Sequence, residues 1–322
     1  MLAGADGPIA ECRVPLPCSS IQTWAGSSSS FGIVALSGSE ASSRRSPRGH
    51  VTLVDVKGLA LNVRSCKLTN ARVLDGCLFV VDYRLYLAAA DAQGYLTVWN
   101  YLAFDSPLRA WQAHTGSAER VIRRPRTPFQ CLSCGGDGKA RLWDVPRVTE
   151  IQAFGIGRDH RRVVTDMACS PAGDAFGATS GEECYLLDIR SNRTLSTIGI
   201  RSEACSCAWS EDGSTIAVGG ADGVLALFDV RMSGNPFTAV QTFTGRIRRV
   251  RWHRDNLLTC GQDAPAGIWR RASQLGNRFV RTKLLDSHQG CLSDVDSFST
   301  DNIVTCGLDR SMKLWSYPAA RM

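Results

Sequence analysis

A short apolar-x-apolar pattern ending in an aromatic or large apolar residue, and often then in Asp, occurs seven times: GHVTLVDV, GYLTVWN, KARLWDV, CYLLDIR, VLALFDV, AGIWRR and MKLWSY. Its aromatic position holds Val54, Trp99, Trp143, Leu187, Phe228, Trp269 and Trp315, spaced 45, 44, 44, 41, 41 and 46 residues apart. A unit recurring at that period buries its apolar face by stacking on its neighbours, and about 40 to 45 residues is the length of one four-stranded propeller blade. Val, Ile, Leu and Trp alternate with period two along these segments, as strands require. The expected fold is all-β, a single seven-bladed propeller spanning residues 1–322.

The register extends beyond the aromatic. Six residues before it stand Asp137, Asp222, Asp263 and Asp309, where a short carboxylate caps backbone N–H groups of a tight turn. Nine residues before it come Ala90, Cys134, Ala178, Gly219, Cys260 and Cys306, a position for small buried side chains. MKLWSY ends almost at the last residue, so the seventh blade lacks an outer strand. The extended segment PIAECRVPL at 8–16 is expected to supply it, closing the ring and removing exposed sheet edges. The polar, basic stretch 37–49 reads as a mobile surface insertion in blade one.

No basic start followed by an apolar core opens the chain, and no stretch approaches the 18 or so apolar residues of a membrane span. A cytoplasmic protein without membrane insertion is expected. Thirteen cysteines are an odd number for a disulfide framework, and their repeat positions suggest free, buried thiols. Cys131 and Cys134 fall three apart on one predicted strand, pointing to opposite faces, and so do not share a metal. Cys205 and Cys207 share a face, but no second pair completes a site. No nucleophile elbow, phosphate loop or zinc-helix motif is present, which argues against an enzyme and against a cofactor. GRIRRVRWHR at 245–254, with a net charge of +7 on the chain, raises nucleic-acid binding. On a strand its arginines divide between faces, and a solvated face and loop is the reading preferred to nucleic acid.

The repeat resembles the WD-repeat family. That resemblance implies structural roles for His114, His160 and His288, which lie where the family joins a histidine to the turn aspartate. Acidic residues also stand near the start of three innermost strands: Asp75 and Glu119 each 24 residues before their aromatic, Glu203 25 before. These are expected to form an acidic arc on one rim. The segments around them, DGCLFVV, AHTGSAERV and SEACSCAW, together with IRRVRW, are similar to the WD-repeat receptors for the type-2 peroxisomal targeting signal, the seventh peroxin. The resemblance implies a cytosolic receptor cycling to the peroxisome, whose partners are a co-receptor and cargo proteins bearing an amphipathic N-terminal signal helix. Asp75 and Glu119 would receive the signal's arginine, with Glu203 in support. The alternatives are a WD-repeat scaffold or adaptor subunit of a multiprotein complex, and a WD-repeat methylesterase of the diphthamide pathway, whose resemblance is no greater than the common repeat.

Overall fold

The computed structural model describes residues 7–25, 31–38, 48–57, 60–157, 162–232, 235–262, 265–272, 278–297 and 301–317. Among them are twenty-eight strands and no helix, arranged as seven antiparallel four-stranded sheets. In six sheets the strands follow chain order. The seventh joins Leu292–Ser297, Asn302–Gly307 and Ser311–Ser316 to Ala10–Arg13, with Ala10 opposite Leu314 and Arg13 opposite Ser311. The first strands of the blades are Cys18–Ala25, Val73–Val81, Ala118–Arg123, Asp166–Cys169, Ala204–Trp209, Ile247–His253 and Leu292–Ser297. Each packs on the first strands of both adjacent blades, from blade seven back round to blade one, so the sheets form a closed ring with these strands at its axis. The N-terminal segment closes that ring as its sequence suggested. Ile9, Ala10 and Cys12 complete an apolar cluster with Val304, Cys306, Met312 and Leu314.

The core is divided among the clefts between sheets. Leu132 and Leu142 of blade three pack with Phe176 and Leu187 of blade four, and Ala88 and Val98 of blade two with Val121 and Trp143 of blade three. All seven residues at the aromatic position lie buried on third strands. The position nine residues earlier is small because a first strand lies directly across from it. Cys134, Cys260 and Cys306 pair with Arg120, Arg249 and Asp294, and a side chain at Gly219 would meet Ile247 at 2.7 Å.

One local expectation is refined and another corrected. In blade four the hairpin between second and third strands closes at Ser180 and Glu183, so Ala178, small and buried as expected, pairs with Met167, and Thr179 pairs with the first-strand Asp166. In blade one, Ser37, Gly38 and Gly49 of the supposed 37–49 insertion are paired strand residues. Arg48 is exposed and outside the strands, and 39–47 lies outside the described residues, as does the mobility expected of it.

Candidate functional site at the propeller axis

Six first strands carry a register irregularity near their start, between Cys18 and Ser20, Val73 and Asp75, Ala118 and Arg120, Ala204 and Ser206, Ile247 and Arg249, and Leu292 and Asp294. An extra residue there re-aims the side chain that follows it. The residues so placed, with Asp166 of blade four, are Ser20, Asp75, Arg120, Asp166, Ser206, Arg249 and Asp294, all buried. They make one circuit. Ser20 Oγ lies 2.8 Å from Asp75 Oδ1, and Arg120 Nη1 2.7 Å from the same oxygen. Arg120 Nε donates to Asp166, whose other oxygen receives Ser206 Oγ at 2.5 Å. Ser206 Oγ accepts from the Val250 amide at 3.0 Å, Arg249 Nε donates to Asp294 Oδ1 at 2.9 Å, and Asp294 Oδ2 returns to Ser20 Oγ at 2.8 Å.

Each acceptor in the circuit also pins the next blade's backbone. Asp75 accepts from the Val121 amide, Asp166 from Cys207 and Asp294 from Ile21. Where the circuit residue is an arginine, which accepts nothing, the following amide turns to its own blade's carboxylate instead: Met167 to Asp166 and Val295 to Asp294, each at 2.8 Å. Arg249 further lies 3.7 Å from both Asp75 and Asp166, so its guanidinium spans carboxylates of blades two, four and seven. One step along the strands, Arg251 reaches Asp294 at 3.1 Å and Asp296 at 3.6 Å, while Thr23 donates to Asp296.

Charges this deep are retained because they are mutually paired. Burial pushes the Asp294 carboxyl up, but Arg249 and Arg251 outweigh it and hold the group below the ordinary carboxylate range. Burial likewise disfavours charge on Arg120, and Asp166 and Asp75 reverse that, keeping it protonated. At Asp296 burial prevails over Arg251 and the carboxyl is raised. Beside the circuit a cavity of about 390 Å³ opens, lined by Trp24, Phe79, Leu85 and Ile122 as well as Asp75 and Arg120. What this arrangement does chemically is hold seven blades together, with every carboxylate of the circuit engaged.

The expected acidic arc does not form. Asp75, 1% exposed, belongs to the circuit, and both its oxygens are already taken, Oδ1 by Ser20 and Arg120 and Oδ2 by the Val121 amide. Glu119 sits on the irregularity next to Arg120, half-buried, and accepts from Ser117 Oγ at 2.5 Å. Glu203 lies three residues ahead of Ser206 and pairs with Arg246 at 2.5 Å. Counting back from the aromatic misaligned them because the hairpin between first and second strands varies in length. The circuit residue stands 24 residues before the aromatic in blade two, 23 in blade three and 22 in blade five. The solvated face expected for GRIRRVRWHR is corrected at two of its arginines, since Arg249 and Arg251 are bound to axial carboxylates. Sequence reasoning missed Ser20, Arg120, Asp166, Ser206, Arg249 and Asp294. The usable signal was one polar residue just before each first strand's own apolar alternation.

The blade turns are hydrogen-bonded as separate stations. In blade three His114 Nδ1 lies 2.8 Å from Asp137, His114 Nε2 2.8 Å from Ser133 Oγ, and Trp143 Nε1 donates to that same hydroxyl. Blade seven repeats it with His288, Asp309, Thr305 and Trp315. Burial raises the Asp137 carboxyl, but bonds from His114 and Arg141 carry it below the ordinary range. Asp222 caps its turn through the Val224 amide. His160 and Asp263 lie outside the described residues. All thirteen cysteines are free thiols, and among the described residues no group of His, Cys, Asp or Glu is arranged to hold a metal. Burial pushes the Cys131 and Cys169 thiols up to about 12.

Seven four-stranded sheets closed about an axis, with turns built on histidine, aspartate, hydroxyl and tryptophan, define a seven-bladed β-propeller. Two stretches of the chain match the family model described as "WD domain, G-beta repeat", residues 193–229 and 278–316. The chain is similar to the WD repeat-containing protein slp1 of Schizosaccharomyces pombe, 26% identical over 80% of this chain and 54% of that protein. It is also similar to the APC/C activator protein CDC20 of Saccharomyces cerevisiae, 25% identical over 62% of this chain and 34% of that one. The anaphase-promoting complex subunit cdh1 of Dictyostelium discoideum is 24% identical over 54% of the chain and 24% of its own length. The chain thus spans about half or less of the relatives it matches.

These likenesses overturn the reading as a peroxisomal targeting-signal receptor. Slp1 is described as a WD repeat-containing protein and the other two as an activator and a subunit of the anaphase-promoting complex, and the cargo helix, the import co-receptor and the cycling between cytoplasm and peroxisome fall with the receptor reading. The four segments that suggested the receptor all lead into or lie on first strands, where their acids and arginines serve the axial circuit or its approaches.

Proposed function

We propose that this chain is a non-catalytic WD-repeat adaptor subunit that holds other proteins within a multiprotein complex. The observation that carries the reading is the likeness along the repeat to proteins described as an activator and a subunit of the anaphase-promoting complex. The distribution of exposed apolar side chains supports it. Tyr83 and Phe129 lie in turns between first and second strands, and Leu102, Leu108, Met232 and Phe237 in connections between third and fourth strands. In antiparallel sheets both kinds of turn fall at the same end, so these six gather on one rim. Among the described residues, the loops of the opposite rim expose only Val163 and Leu308 of the large apolar side chains, and an exposed apolar surface favours protein docking.

The test is affinity purification of the tagged chain from its native extract, with size-exclusion chromatography of the eluate and mass spectrometry of each peak. An adaptor travels with near-stoichiometric partners, and the pair Leu102→Asp and Met232→Asp releases at least one of them without lowering the melting temperature. A wild-type chain that elutes as a monomer with no stoichiometric partner refutes the reading.

A further inference from the structure

Blades two and five share a repeated segment. SPLRAWQAHTG at 106–116 and NPFTAVQTFTG at 235–245 agree at Pro, Ala, Gln, Thr and Gly in the same register. The two segments fold alike. Each gives an outer strand of only four residues, Arg109–Gln112 and Thr238–Gln241. The Leu108 amide bonds Val98 O and the Phe237 amide Leu227 O; Gln112 lies opposite Tyr95 and Gln241 opposite Val224. Beyond each strand, two successive amides converge on one glycine carbonyl, Ala113 and His114 on Gly94, Thr242 and Phe243 on Gly223.

Each repeated segment borders an open cleft against the preceding blade. The first, about 470 Å³, has Trp99, Thr97, Ala110, Pro107, Leu68 and Asp91 among its walls. The second, about 580 Å³, has Phe228, Ala226, Ala239, Pro236, Ile200 and Asp222 in matching places, with Arg201 also lining it. The clefts are open because the residue two before the aromatic and its cross-strand partner are both small: Thr97 faces Ala110, and Ala226 faces Ala239. Blades three, four and seven place Arg141, Tyr185 and Lys313 there, blade six sets Leu284 across from Gly267, and blade one shares a small pair, Thr52 and Cys66, without the repeated segment. Each cleft ends at a carboxylate of the turn between second and third strands. Asp91 and Asp222 accept from backbone amides of their own turns, and neither has an ion pair among the described residues. Asp91 is half-buried, and that burial raises its carboxyl. An apolar trough closed by an unpaired carboxylate complements a side chain with an apolar body next to a cation.

We propose that the blade one–two and blade four–five clefts are twin docking sites for an extended peptide segment of a partner protein, an apolar side chain entering over Trp99 or Phe228 and a neighbouring Lys or Arg meeting Asp91 or Asp222. The propeller so takes two copies of one short motif, on opposite sides of the ring. The proposal rests on the adaptor reading only in taking the ligand to be a protein segment. The probe is a phage-displayed library of linear twelve-residue peptides selected on the intact chain, with enriched sequences synthesised and titrated by calorimetry. The expected peptides pair an apolar residue with a nearby cation and bind with a stoichiometry of two. Thr97→Trp or Ala226→Trp alone lowers the stoichiometry to one, and both together abolish binding. Asp91→Asn with Asp222→Asn, which leaves packing untouched, weakens binding at least five-fold, and so does raised salt. Peptides that are acidic, that bind the doubly filled chain unchanged, or that ignore the Asn pair overturn the proposal, as does a selection that enriches nothing. If partners still co-purify with the doubly filled chain in that event, the adaptor reading stands and the clefts alone fall.

Discussion

Asp294 receives Ser20, Arg249, Arg251 and the amides of Ile21 and Val295, and removing it takes the nearest carboxylate from the buried Arg249 and the half-buried Arg251. Breaking a buried pair by deleting one partner costs about 3 to 5 kcal/mol. Asp294→Ala is therefore expected to lower the denaturant midpoint sharply, while Asp144→Ala, which loses the mostly exposed Arg147, changes stability by about 0 to 1 kcal/mol. Equal effects in denaturant titrations of the two variants disprove the ranking. The thiols give a second residue-scale expectation. Cys66 alone is exposed, and the other twelve are buried or half-buried. A thiol reagent at neutral pH should label one cysteine rapidly in the native chain and Cys66→Ser should remove that phase; two or more fast equivalents contradict it. The smallness of Cys134, Cys260 and Cys306 was legible in the sequence, but their partners were not, because the arginines and aspartate opposite them look solvent-exposed until the ring is closed.

At the scale of the element, the strand Ala10–Arg13 ties the N-terminal segment to the last strand of blade seven. Deleting residues 1–13 leaves Ser311–Ser316 as an open edge over Val304, Met312 and Leu314. The truncated chain is expected to melt at lower temperature and to form larger species on size-exclusion chromatography, and an unchanged monomer would remove the closing role from this strand. Third strands were located in the sequence without error, since a bulky residue must fill every cleft between blades and so recurs at a fixed place. First strands were not, because hairpin length drifts by a residue or two from blade to blade, and a slip of one moved the expected site from Arg120 to Glu119. The twin segments at 106–116 and 235–245 were also visible in the sequence, but their meaning depends on the small residues that face them across a strand.

For the whole molecule the buried charges set a direction with pH. The His288 imidazole is lowered by burial from the ordinary 6.5, against the pull of Asp309, so the unfolded chain binds that proton first and stability begins to fall below about pH 6.5. Asp137, Asp294 and Asp309 are held below the ordinary 3.8, so their contribution is complete above that value and disappears as pH falls through their folded-state range. Asp91 and Asp296 are raised and act in the opposite sense. The melting temperature is expected to decline gently from pH 7 to 5 and steeply below pH 4. A flat profile down to pH 3 shows that the axial pairs contribute nothing to the folded state.

The axial circuit also bears on how many blades the ring can have. Around the axis the order runs Ser, Asp, Arg, Asp, Ser, Arg, Asp, and no residue meets its own kind. Alternating signs close without conflict only on an even-membered ring. An odd ring needs neutral members, and Ser20 and Ser206 fill that place. Tandem duplication of any charged blade sets two carboxylates or two guanidiniums side by side in a dry interior, whereas duplication of blade one or five sets only two hydroxyls together. The arithmetic of sign thus acts as a parity check on gene duplication, and it admits an eighth blade at two positions of the seven.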